Sequence, residues 1–221
     1  MRLSDDRTTR LLLACGVIGP VLFVVVSLAL GATRSGYNAS HTYVSMLSLG
    51  EGGWMMVANF IASGALLIAF AIGLQRIGYG WAAILVGVVG AGTVTAGPFA
   101  ADPGLGYPPG APDGVPSAMS PGSVVHYTAG FVASFANVAA AVMIARRFGR
   151  DPRSAGWARG VGLTSALIFV LYVATVVAGN DGPSLEAVAG AIQRVWILVG
   201  FGWLAFLALR SLRERPQRSL V

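Results

Sequence analysis

The side chains best equipped for chemistry are Arg34, His41, Ser45, Asp102, His126 and Arg194. His41 and His126 are the only two histidines in the chain. With Ser45 and Asp102 they supply the residue types of a serine relay or of a metal-bound water. Two histidines facing one pocket would also suffice as axial ligands of a single b-type haem. Arg34 and Arg194 suit a lipid headgroup or small anion instead, because guanidinium groups match such oxygens. The catalytic readings lack their usual frames: no G-x-S-x-G elbow and no H-E-x-x-H occurs. A zinc set would need Glu51 or Asp102 to supplement two histidines. Cys15 is the only cysteine, so neither an internal disulfide nor a multi-cysteine zinc site is possible. The residues therefore favour ligand binding over catalysis, and no catalytic residue, metal or cofactor is assigned.

The elements that carry these residues are apolar. Of 221 residues, 55% are hydrophobic and only 11% charged, against about 25% charged in a soluble domain. The mean hydropathy is +0.71. The formal charge of +6 does not point to nucleic acid, because the arginines cluster beside the ends of apolar runs. Lipid is the solvent this composition requires, and the 30 glycines suit close-packed membrane helices.

A spanning helix needs about 20 mostly apolar residues. Segments 11–31, 54–73, 81–99, 124–145, 161–178 and 192–209 qualify, which predicts one all-α domain of six transmembrane helices over residues 1–221. The first run exceeds the ~7–15 apolar residues of a signal peptide and reads as a retained helix. Trp54, Trp81 and Trp157 stand near the starts of spans, where interfacial tryptophan is expected. All arginines except Arg34 and Arg194 fall on one side of this arrangement. The positive-inside rule then puts both termini in the cytoplasm of a multi-pass cell-membrane protein. Connections one, three and five lie outside.

The stretch Gly36–Ser48, GYNASHTYVSMLS, belongs to the first connection. Its pattern predicts a short amphipathic helix over 40–49, lying on the outer interface with His41, Ser45 and Ser48 on its polar side. The third connection, rich in proline and glycine, predicts an irregular outer cap. In span four, His126, Gly130, Ala133, Ser134, Asn137 and Ala141 share one stripe, with Val124, Phe131, Phe135, Val138 and Val142 opposite. The small and polar stripe should face the bundle. By helical rise, His126 lies ~3 Å inside that span and Asn137 ~20 Å down. Asn59 and Asn137 thus lie at different depths, and interhelical hydrogen bonding is the plain reading of each. Glycine-rich span three should pack closely.

The outer mouth gathers Arg34, His41, Ser45, Glu51, Asp102, His126, Asp181, Glu186 and Arg194. Arg194 opens an apolar span, so a carboxylate such as Asp102 or Glu186, or a bound anion, is the expected partner. Mid-membrane ionisable residues are lacking, which argues against a coupled transporter.

Gly19-Pro20, Gly36-Tyr37, Ser45-Met46-Leu47, Trp54-Met55-Met56, Gly64, Asp102, His126 and Gln193-Arg194 follow one another across nearly the whole chain. In order and spacing this resembles the prokaryotic membrane proteins grouped as domain of unknown function 998. The family commonly has an acidic residue after the first-loop serine, and Met46 stands there instead. The resemblance implies six membrane helices and an outer polar cluster, and it supplies no activity. The combined expectation is a protein binding a lipid headgroup or small anion at an outward-facing polar pocket. Membrane lipids are its expected partners, a homo-oligomer is compatible with it, and a membrane hydrolase and a haem protein are the alternatives.

Overall fold

The computed structural model describes residues 2–116, 118–180 and 183–213. Among them the chain forms six α-helices: α1 (Arg2–Thr33), α2 (Trp54–Arg76), α3 (Trp81–Ala96), α4 (Pro121–Phe148), α5 (Ala155–Ala178) and α6 (Pro183–Arg213). Short 3-10 segments lie at Val44–Ser48 and Pro152–Ser154, and no strand forms among the described residues. Five helices are long and apolar enough to cross a membrane. The exception is α3, whose 16 residues span about 24 Å by the rise per residue. Its expected extent to residue 99 is cut short because Gly97 and Pro98 follow Ala96, and proline cannot continue the ladder.

Large apolar side chains cover the outside of the bundle. Leu163 is 73% exposed, Leu11 61% and Val170 59%, an arrangement that water would not tolerate over so wide a surface. Trp54 and Trp81 project outward, 72% and 71% exposed. Trp157 does not: it is half-buried, with the Arg210 guanidinium 4.1 Å from its ring centroid. It anchors α5 to α6 rather than facing outward.

Each helix packs on its neighbours in sequence, and α6 returns to α1, closing a ring of six. Glycines set the closest crossings. A Cβ at Gly64 would lie 2.6 Å from the Gly90 carbonyl oxygen, and one at Gly90 would lie 2.7 Å from that of Gly64. The α2–α3 backbones are in direct contact there, as the glycine-rich third span predicts. Asn59 donates to the Phe23 carbonyl (3.1 Å) and accepts from Ser63 (3.2 Å), tying α2 to α1. Asn137 donates to the Gly200 carbonyl (3.1 Å) and accepts from Trp203 Nε1 (2.9 Å), tying α4 to α6. Both asparagines are interhelical links, and the α4 stripe faces inward through buried His126, Ser134, Asn137 and Ala141.

We name the end formed by the first, third and fifth connections the loop end, and the opposite one the arginine end. Toward the arginine end the ring is filled by Leu67, Phe70, Leu74, Val86, Ile144 and Leu204, each fully buried. Toward the loop end the filling is different, and the candidate site lies there.

Candidate functional site

The first connection does not lie on an interface as an amphipathic helix. Only Val44–Ser48 is helical, as one 3-10 segment, and Val44, Ser45, Met46 and Leu47 are all buried. The polar side expected for Ser45 is therefore inside the ring. A non-helical backbone at that depth needs partners for its polar groups, and α6 provides them. Gly190 and Ala191 donate their N–H groups to the His41 and Ser40 carbonyls (3.0 and 2.8 Å). Gln193 Oε1 accepts from Val44 N–H at 2.6 Å.

Arg194 completes the docking. Its Nη1 donates to the carbonyls of Ala39, Thr42 (3.1 Å) and Gly190 (2.9 Å), and its Nη2 donates to the Tyr37 hydroxyl. The expected partner was a carboxylate or an anion; the guanidinium instead spends its donors on loop backbone. Gly190 is required at this contact, since a Cβ there would lie 2.5 Å from the Thr42 carbonyl oxygen and 2.7 Å from that of Ala39. Burial pushes the Tyr37 phenol above its ordinary range despite Arg194 beside it. Burial does the same to Tyr43, with Tyr127 and Glu186 adding to it. The Tyr43 hydroxyl donates to the Thr175 carbonyl at 2.8 Å and joins the first connection to α5.

The third connection folds against the first. Thr42 donates its hydroxyl to the Leu105 carbonyl at 3.1 Å, and His41 Nε2 sits 3.2 Å from the Asp113 carbonyl oxygen. Asp102 caps the start of α4: its carboxylate accepts from the Ser120 hydroxyl (2.6 Å) and backbone N–H (2.7 Å). Those bonds hold its carboxyl below the usual range. His126 serves α3. Its Nδ1 donates to the Ala96 carbonyl (2.9 Å), left open by the end of α3, and to the Phe99 carbonyl (2.8 Å) in the turn beyond. With Nδ1 donating, Nε2 is the acceptor nitrogen. Arg34 follows α1, and its Nη2 is buried without a hydrogen-bond partner. Asp181 lies outside the described residues.

Inside the ring at the loop end, walled by residues of all six helices and of the Val44–Ser48 segment, lies a cavity of about 500 Å³. It follows α4 from His126 to Asn137, eleven residues or about 16 Å. Of the six residues singled out from the sequence, Ser45 and His126 line it; Arg34, His41, Asp102 and Arg194 do not. Among the described residues, no arginine, aspartate or glutamate contributes to its walls. The structure thus separates the two histidines, His126 on the cavity and His41 on the first connection against the third. It also gives His126 backbone carbonyls, where a relay would give it a carboxylate. Among the described residues no group of three or more His, Cys, Asp and Glu is placed to hold a metal ion.

The walls are mainly apolar and aromatic, with Phe23, Phe60, Phe131, Tyr172 and Trp196 prominent. Sequence reasoning did not single out Tyr127, and took Gln193 only as part of the Gln193-Arg194 motif; both lie on the cavity. Each had a signal: a polar side chain beside His126 or Arg194, inside an otherwise apolar run.

No curated protein and no solved structure matches the chain. The family comparison does give a match, to the family described as "Protein of unknown function (DUF998)", over residues 17–210. The ring of helices, the docked first connection and the Gln193-Arg194 anchor all fall inside that span, and the chain belongs to the DUF998 family.

Proposed function

We propose that this is a six-span cell-membrane protein that binds an amphipathic lipid in the loop-end half of its helix ring. Both termini face the cytoplasm, and the loop end faces out; the arginine distribution supports this orientation. The short α3 completes its crossing with the turn residues that follow it. The lipid tail occupies the cavity and enters between α4 and α5, where the exposed Thr128, Phe131 and Val176 are also wall residues.

One observation carries this reading: a partly open cavity of about 500 Å³, within the ~300–1,000 Å³ range of ligand pockets, walled mainly by apolar side chains. The sequence alone favoured a headgroup or anion held by Arg34 and Arg194. The docking of Arg194 onto the first connection moves the proposal from headgroup to tail.

Gly130 provides the test. It lines the cavity, and a Cβ there would meet nothing within 4 Å. Gly130→Phe fills the space without disturbing a helix crossing. Native mass spectrometry of gently released protein should find a lipid retained by the natural chain and lost from Gly130→Phe, with unchanged thermal stability. Equal lipid retention by both would overturn the proposal.

A further inference from the structure

The two ends of the cavity differ in how their polar groups are used. At the Asn137 end they are spent internally. Thr93 donates to the Val89 carbonyl (2.8 Å) and Ser134 to the Gly130 carbonyl (2.6 Å), while Asn137 is shared between Gly200 and Trp203. A ligand meets only hydrocarbon and aromatic surface there. Tyr172 and Trp196, with ring centroids 5.5 Å apart, wall the middle.

At the loop end the groups are unspent. The Tyr127 hydroxyl is buried with no hydrogen-bond partner. Ser45 is 5% exposed, and its hydroxyl has no partner among the described residues. Gln193 uses Oε1 on Val44 and keeps its amide N–H donors. His126 keeps Nε2 as an acceptor once Nδ1–H is committed to Ala96 and Phe99. These four stand on two neighbouring walls, the 3-10 segment with α6 and the first turns of α4. Together they offer donors and an acceptor, and none carries a fixed charge.

We infer that the ligand is an uncharged amphiphile, a hydrocarbon tail bearing a hydroxyl or carbonyl head, with the head held by Ser45, Tyr127, Gln193 and His126. This rests on the lipid-binding reading above and narrows it. A hydroxyl head both donates and accepts, which suits His126 Nε2 on one side and the Tyr127, Ser45 or Gln193 donors on the other. A sulfate, phosphate or carboxylate head would bring a charge into a low-dielectric space whose described walls include no arginine, a costly transfer.

The test uses the full chain in nanodiscs with three deuterated probes of equal chain length: hexadecanol, hexadecanal and hexadecyl sulfate. Hexadecanol and hexadecanal should bind saturably, and hexadecyl sulfate at least about tenfold more weakly. Tyr127→Phe removes only the buried hydroxyl. It should weaken hexadecanol by about fivefold, the worth of one neutral hydrogen bond, without lowering the melting temperature. Ser45→Ala should act in the same direction. Sulfate binding equal to or tighter than alcohol would overturn the uncharged assignment while leaving a lipid-binding cavity standing. So would alcohol affinity indifferent to both variants. If no tailed probe binds, and Gly130→Phe changes nothing, both readings fall together.

Discussion

Arg194 puts a cation at the start of an apolar stretch, where an unpaired charge is costly. The chain resolves this with the Ala39 and Thr42 carbonyls and the Tyr37 hydroxyl of the first connection, and with the Gly190 carbonyl of α6 itself. Removing the side chain loses these charge-assisted bonds and leaves the buried Thr42 carbonyl without its Arg194 donor, so Arg194→Ala should destabilise by roughly 1.5–3 kcal/mol. The check is thermal unfolding in detergent, with limited proteolysis expected to cut the first connection earlier. An unchanged melting temperature would mean that the docking is not structural. Asp102 yields a prediction in pH. Its folded-state carboxyl value is lowered by the Ser120 hydroxyl and then by the Ser120 backbone N–H. A lowered value stabilises the fold above the unfolded carboxyl range near ~3.9, and the gain is lost as pH falls through the folded value. Natural protein should therefore lose melting temperature below about pH 4, and Asp102→Asn should lose less over that interval. Identical pH profiles would rule out the cap as their source.

Among the elements, contacts between backbones matter more than helix propensity. At the α2–α3 crossing, a Cβ on Gly64 would meet the Gly90 carbonyl oxygen at 2.6 Å and the Val94 nitrogen at 2.7 Å. Neither is a flexible side chain that can swing away. Gly64→Ala should therefore cost roughly 2–3 kcal/mol. Gly130 has open space around its Cβ position, so Gly130→Ala should be stabilising by about 0.5–1 kcal/mol through helix propensity. Unfolding curves of the two variants, measured side by side, decide this. Two alanine variants of equal stability would contradict the direct α2–α3 contact. Glycine content alone did not distinguish these positions, because only the neighbouring helix determines whether a missing side chain is needed.

For the whole molecule, the ring is packed toward the arginine end and open inside toward the loop end. Phe70, Leu74, Ile144 and Leu204 close the first half, and the cavity occupies the second. This asymmetry suits a binding chamber reached from one leaflet better than a conduit through both. The proposed orientation is testable by single-cysteine labelling in a Cys15→Ala background. Ser35 and Arg150 are both exposed, at the loop end and the arginine end respectively. Ser35→Cys should react with an impermeant maleimide in intact cells, and Arg150→Cys only after permeabilisation. The reverse pattern would invert the topology.

The sequence by itself determined the number and order of helices, because each apolar run is a local property that needs no partner to be recognised. It also determined which side of α4 faces inward, since period and residue size settle that within one helix. The resemblance carried by short motifs from Gly19-Pro20 to Gln193-Arg194 led to the right family for the same reason: order along the chain is already one-dimensional. Tertiary structure alone decided what the polar residues do. Arg194 and Ala39 are 155 residues apart, Asn137 and Trp203 are 66, and no local pattern encodes such pairs. The buried setting of Val44–Ser48 was hidden because its apolar and polar residues, read at helical period, fit a helix on a membrane surface equally well. Whether polar groups such as Ser45 and Tyr127 are spent or free depends on every neighbour the fold brings, and that accounting exists only once the ring has closed.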